Sequence, residues 1–255
     1  VPFGGPSPFS TVQFAPYNGN LVLIAGTPRV IPAAGVVGTY NNASINKVTG
    51  QTLAATTLYF VYVYMVGSTM TMDFSTASHV TDATYGNEVH STDSTRSLVG
   101  LVYTTSTGQF RGTIQNQDTS SWFNRVRLNV SQPLSAGFST QIADTYHEVN
   151  SNDQLTFVAL SDDAAIILLM AVVSNTVAGG RTGINIGASG AAPDSNNEAT
   201  YQSYAADTVG TCTAVLQTAG SPDQFFYYRA LVRSDGAANT GQIIRGKFIS
   251  TPVPS

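Results

Sequence analysis

Charge is what this chain has least of. Lys, Arg, Asp and Glu make up only 10% of its 255 residues, against roughly 25% in an average soluble domain. Gly, Ser, Thr and Asn stand where Lys and Glu would ordinarily be found. Two arrangements satisfy such a composition: a surface of hydroxyl and amide groups, or extensive burial between subunits, whose interface cores are depleted of charge. The net charge is −4 with no Lys/Arg run, so the electrostatic footprint of a nucleic-acid binder is missing. One cysteine, Cys212, excludes an intrachain disulfide. With no Cys or His near it in sequence, it reads as a small buried thiol rather than a metal ligand. Long apolar runs are also lacking. The longest, Ala164–Val173, has ten residues, about half of what a membrane-spanning helix needs, and reads as a buried strand or two strands meeting at a bend. The opening Val1–Phe9 lacks the basic region and apolar core of a secretion signal. Helix signals are scarce, because 23 Gly and 11 Pro leave few uninterrupted windows.

Strand signals fill the chain instead. Leu21–Ile24, Val36–Tyr40, Thr57–Tyr64, Met70–Phe74 and Ser97–Tyr103 are short and rich in β-branched and aromatic residues. Turn signals at Val66-Gly67-Ser68, Tyr85-Gly86-Asn87 and Ser106-Thr107-Gly108 separate them. Phe138–Ile142, Gln154–Leu160, Ile166–Val173, Thr182–Ile186, Cys212–Leu216, Gln224–Val232 and Gly241–Ile249 continue the series. Regular short strands punctuated by turns predict an all-β protein of two antiparallel β-sandwich domains, the C-terminal one jelly-roll-like. The pattern places an extended N-terminal arm at 1–20, a first domain at 21–130 and a second at 131–255. The break falls near Asn129–Gly137, where Pro133 and Gly137 interrupt it. Prolines at 2, 6 and 8 keep the start of the arm out of helix and central strand, leaving Phe3 and Phe9 to lie on a neighbouring protein. Thr251–Ser255 is expected to end the fold as a tail.

One stretch carries more than a generic β pattern. Leu58–Tyr64, Met70–Thr76, Tyr85–Val89, Asp93–Tyr103, Gly108–Phe110 and Ser121-Trp122-Phe123-Asn124-Arg125 follow one another in an order that resembles a segment of fibre, spike and related virion proteins of tailed bacteriophages. The resemblance covers a quarter to a third of the chain, and its most specific part is Thr95-Arg96-Ser97-Leu98-Val99-Gly100 followed by Ser121–Arg125. Val173–Gly180 resembles the same class more loosely. It implies a virion surface component, usually a homotrimer, that contacts the host envelope or decorates the particle; it supplies no catalytic residues. The arm would join other virion proteins, the ligand would be a host surface glycan, and the protein would be made in the bacterial cytoplasm before assembly into the particle. A capsid decoration or adaptor role and a polysaccharide depolymerase are the alternatives.

The side chains able to do chemistry are few. His79, His90 and His147 share no ligand spacing, and the adjacent His147 and Glu148 point to opposite faces of a strand; all three read as structural. Asp162, Asp163 and Asp144 could pair as glycosidase carboxylates, but Ser161-Asp162-Asp163 lies between two strand patterns, where Asp forms turns. Pro193–Glu198 has oxygens for calcium without the spaced loop of a calcium site. No nucleophile elbow, zinc-protease motif, Walker loop or dinucleotide fingerprint is present. No cofactor, metal or enzymatic activity is therefore expected. Arg96, Trp122, Asn124 and Arg125 suit sugar contact, yet Arg96 and Arg125 equally suit a buried or interfacial pair with Asp93 or Glu88; Arg96, Trp122 and Arg125, with Phe3 and Phe9, are assigned to assembly. Tyr62 and Tyr64 alternate onto one sheet face with their neighbours, as a core or interface, and Tyr59, Tyr227 and Tyr228 also lie in strands. The long polar loop Gly179–Tyr204 is the candidate ligand site, through Asn196, Asn197, Tyr201 and Tyr204.

Overall fold

Alternation of side chains across the pleat decides both which segments form strands and which face each one buries. The computed structural model describes residues 8–17, 19–111, 116–123, 130–134, 138–140, 145–149, 153–160, 164–187, 198–218, 223–235 and 240–253. Every regular element among them is a β-strand. The chain divides into two units, Val1–Thr113 with Gln117–Val126, and Ile114–Asn116 with Arg127–Ser255.

The first unit holds β1 (Thr11–Phe14), β2 (Leu21–Ile24), β3 (Thr27–Val30), β4 (Val36–Thr39), β5 (Ala43–Ile45), β6 (Val48–Gln51), β7 (Leu58–Val66), β8 (Thr69–Ser75), β9 (His79–Thr81), β10 (Glu88–His90) and β11 (Asp93–Tyr103). After β12 (Asn116–Gln117), β13 (Thr119–Ser121) returns to pair with β11. The main sheet runs β6-β5-β8-β7-β11-β10-β9 and is antiparallel except where Ile45 meets Phe74 in parallel. Its hairpins follow their turn residues. β7 and β8 are joined by Gly67–Ser68, with φ +60° at Gly67 alone, as a type II′ turn requires. β2–β3 and β5–β6 turn through Ala25–Gly26 and Asn46–Lys47, with positive φ at both residues of each pair, the type I′ geometry that matches strand twist. Tyr59, Val61 and Val63 of β7 and Met70, Met72 and Phe74 of β8 face a core completed by Val22, Ile24, Val36, Leu53 and Phe110. The small sheets β1-β4 and β2-β3 supply its second layer. Residues 9–14, expected in an arm, are instead bound into this unit: Phe9 bridges Phe110, β1 pairs with β4, and Val12 and Phe14 pack on the core. Their alternation gives them a buried side to satisfy. Phe3 lies outside the described residues.

The second unit contains β14 (Val130–Pro133), β15 (Phe138–Thr140), β16 (His147–Glu148), β17 (Gln154–Ala159), β18 (Ala164–Asn175), β19 (Arg181–Gly187), β20 (Ala199–Gln202), β21 (Val209–Thr218), β22 (Gln224–Ser234) and β23 (Gly241–Val253). One sheet runs β14-β23-β18-β21 and the other β17-β22-β19-β20, with β12 added at the edge of β17. β14 and β15 both pair with β23, and β16 and β17 both pair with β22. Each couple therefore acts as one interrupted strand, and the two sheets take the orders first-eighth-third-sixth and second-seventh-fourth-fifth. That is jelly-roll winding. Ile167, Leu169, Ala171 and Val173 of β18, with Phe248, Ile243 and Ala214, face Leu155, Phe157, Ile184, Ile186 and Val232 of the other sheet; each fully buried large side chain contributes about 1.5–3 kcal/mol. The Ala164–Val173 run forms a single strand, buried on its inner face only: Met170 on the outer face is 42% exposed. The expected tail is shorter than read, since Thr251–Val253 stay in register with β18.

Candidate functional site

In the first unit the polar residues gather on the face of β7 opposite its core. Tyr62 and Tyr64 are buried there, and Tyr62 lies 5.0 Å edge-on to the His90 ring and 5.1 Å beneath the Arg96 guanidinium. Arg96, only 3% exposed, sits with Nη2 2.6 Å from Oδ2 of the fully buried Asp73. The sequence reading paired Arg96 with Asp93 or Glu88. Those carboxylates go elsewhere, Asp93 to Lys47 and Glu88 to His79, and Arg96, enclosed in its own unit, presents no surface to a neighbour. Burial pushes the Asp73 carboxyl up despite the Arg96 charge and the Lys47 amide. Burial alone would raise Asp93 too, but hydrogen bonds from Lys47 and Thr95 bring it down to about 2. Trp122 is half-buried, edge-on to His79 at 5.1 Å. Arg125 and Asn124 lie outside the described residues.

Ser75 and His90, 3.0 Å apart, look like a nucleophile and base until the hydrogen bonds are followed. His90 Nδ1 accepts the Thr92 N–H at 3.2 Å, which leaves the ring proton on Nε2, donated to Ser75 Oγ. Ser75 Oγ also accepts the Ala77 N–H and donates to Asn46 Oδ1. A general base needs a free lone pair facing the hydroxyl, and here that position carries the proton. Burial, with the Arg96 charge, holds His90 below its usual range and so neutral. This cluster is a structural network.

The second unit presents a different surface at the end of β18. Asn175, fully buried, donates to the Arg181 carbonyl at 3.0 Å and accepts the Val177 N–H at 3.0 Å, closing the turn between β18 and β19. A side chain at Gly180 would strike Asn175 Oδ1. The turn after β20 is tied to the first: Gly179 N–H donates to the Ser203 carbonyl, Ser203 N–H to the Gly180 carbonyl, and Asp207 N–H to the Asn175 carbonyl, at 2.6–2.9 Å. Ser203 and Thr208 hydroxyls bond the Ala205 carbonyl across that second turn. At its crest Tyr204 is 93% exposed, and Val177 is an exposed large apolar residue of the first turn. Tyr201 takes the opposite course. Its ring packs on the core against Gly210, and its hydroxyl reaches Thr208 at 3.4 Å. The two tyrosines assigned to one ligand site thus divide, Tyr201 supporting and Tyr204 presented. Asn196 and Asn197 lie outside the described residues, as do Asp144, Asp162 and Asp163.

Nearby in the fold, Arg233 of β22 reaches Glu198 at 2.5 Å and Asp235 at 2.9 Å. The Tyr146 ring lies 5.5 Å from the guanidinium, and burial pushes the Tyr146 hydroxyl up to about 12. Sequence reasoning missed this group and the pairing of Asp73 with Arg96, because each joins residues from separate strands. Val177 lay within the Val173–Gly180 stretch, where the Asn175–Gly180 spacing was the available turn signal.

No family model matches the chain, and no curated protein is similar to it. A chain in the structure of the infectious bursal disease virus Gx strain is similar at 11% identity, over 96% of this chain and 71% of that one, with a TM-score of 0.33. A likeness at that score supports no inference.

Proposed function

We propose that this chain is a structural surface protein of a tailed-phage or phage-like virion, and that it attaches the particle to a glycan of the host cell surface rather than catalysing a reaction. The observation that carries this reading is Tyr204: a large ring at 93% exposure, held on a turn whose backbone is bonded into its neighbour. An aromatic face kept in water at little conformational cost suits stacking on the apolar face of a sugar ring, as tyrosines do in paratopes. The neutral, hydroxyl-rich composition favours an uncharged ligand, and the jelly roll is an architecture used by both capsid and lectin domains. Fold alone assigns no function; the Thr57–Arg125 resemblance supplies the virion context.

A single tyrosine contact is weak. Three copies in a homotrimer, repeated over the particle, raise the effective concentration of each further contact and convert weak binding into stable adhesion. Attachment to the particle falls to the N-terminal residues around Phe3. The test is binding of the purified protein to bacterial cells and to an array of bacterial surface polysaccharides, beside Tyr204→Ala. The expected result is saturable binding that falls at least about tenfold in Tyr204→Ala with an unchanged melting temperature. Wild-type protein that binds neither, or a variant that binds equally well, would overturn the reading.

A further inference from the structure

An antiparallel sheet with one face in water alternates apolar and polar residues along each strand. β18 breaks this rule. Its inner positions Ile167, Leu169, Ala171 and Val173 fill the core, yet its outer positions Ile166, Leu168, Met170 and Val172 are apolar too. The register widens the strip, because Leu168 lies between Val215 of β21 and Ile249 of β23, making a row of three apolar side chains across the sheet. Met170 and Val215 are 42% and 46% exposed. The strand therefore has the composition of one covered on both sides, while on its outer side Ile166, Leu168 and Val172 are only half-buried and Met170 is exposed.

We propose that the outer face of the β14-β23-β18-β21 sheet is where a second copy of this chain packs. Area is the first reason. Strands of four, thirteen, twelve and ten residues, about 3.4 Å per residue and about 4.8 Å apart, give a face of roughly 640 Å², within the roughly 600–1,000 Å² per partner of a stable interface. Charge is the second. Arg245 and Lys247, exposed on β23, flank Val172 and Met170 in register. The outward positions of these strands carry no carboxylate among the described residues, and neither cation has an ion-pair partner there. The unit is otherwise acid-rich: residues 127–255 hold ten Asp and Glu against six Lys and Arg. A neighbouring copy thus brings the counter-charges that this face lacks. The inference rests on the self-association in the proposed function, but its test does not involve Tyr204 or any glycan.

The experiment is light scattering coupled to size-exclusion chromatography on the full chain, with melting followed by circular dichroism. The wild type is expected to elute as a multiple of 26.8 kDa. Met170→Glu with Val215→Glu should elute as the single chain with its strand signal retained. Arg245→Glu with Lys247→Glu, which removes no buried packing, should weaken association at least about tenfold and keeps the question open to measurement if the first pair fails to fold. A wild-type chain that is monomeric, including one that floats with anionic lipid vesicles instead, overturns the proposal. So does a charge-reversed variant whose mass falls on dilution over the same concentrations as the wild type. Loss of glycan binding with the oligomer intact would instead count against Tyr204.

Discussion

Replacing Arg96 by methionine removes the cation beside Asp73 while keeping most of the side-chain volume. Asp73 is fully buried and Arg96 nearly so; the contact at 2.6 Å leaves Asp73 Oδ1 and Arg96 Nε without hydrogen-bond partners among the described residues. Breaking a buried pair by removing one member costs about 3–5 kcal/mol, because the remaining charge is stranded. For a domain of this size each kcal/mol moves the midpoint by roughly 3–5 °C, so the first unit's transition should fall by about 10–20 °C at pH 7. Changing both residues, Asp73→Leu with Arg96→Met, should recover most of that loss, since well-packed apolar replacements of buried pairs are often neutral or stabilising. The pH dependence supplies a second readout. The Asp73 carboxyl is already raised by burial, and losing Arg96 raises it further. A carboxyl whose folded pKa exceeds its unfolded value favours the fold at low pH and loses that contribution as pH rises through the folded value. The deficit of Arg96→Met should therefore shrink between pH 7 and pH 4. Differential scanning calorimetry at both pH values measures it. A shift below about 3 °C at pH 7, or one equal at the two pH values, would refute the reasoning.

Three further outcomes are expected. His90 is held neutral by burial and by Arg96, so stability should fall as pH drops below about 6.5, the unfolded value, and His90→Gln should flatten that segment of a melting-temperature profile. The contribution of Asp93, whose carboxyl is lowered to about 2, should disappear only between about pH 4 and pH 2. Cys212 is buried and its thiol is pushed up by that burial; a thiol reagent should modify it only on unfolding, whereas labelling of the native protein at the rate of free cysteine would contradict its position.

The all-β class, the longer strands and the jelly roll were legible because Leu155–Ala159 and Thr182–Ile186 are short runs rich in apolar and β-branched residues, buried on both faces, and Cys212–Leu216 carries its alternation locally. β3 and β6 were not: all four residues of each are exposed, so they lack the buried side that writes a period into sequence. The Ala164–Val173 run promised burial on both faces, and its outer side chains show that local composition cannot say which molecule provides the cover. At the candidate site, Tyr201 and Tyr204 both followed a polar loop. What separates them is that Tyr201 pairs with Thr182 across β19 and β20, a long-range fact. The Asp73–Arg96 pair was hidden for the same reason, since β7 lies between β8 and β11 in the sheet.

The winding of the second unit has a consequence for its synthesis. β23, the last of this unit's described strands in chain order, is inserted between β14, the first, and β18. Until it leaves the ribosome, both neighbours expose unpaired edges and Phe248 is missing from the core. Such a domain gains little from folding as it emerges; its non-local pairing makes closure slow, and the waiting edges are open to pairing with other nascent chains. Chains interrupted before Gly241 should thus be recovered as aggregates rather than as shortened domains.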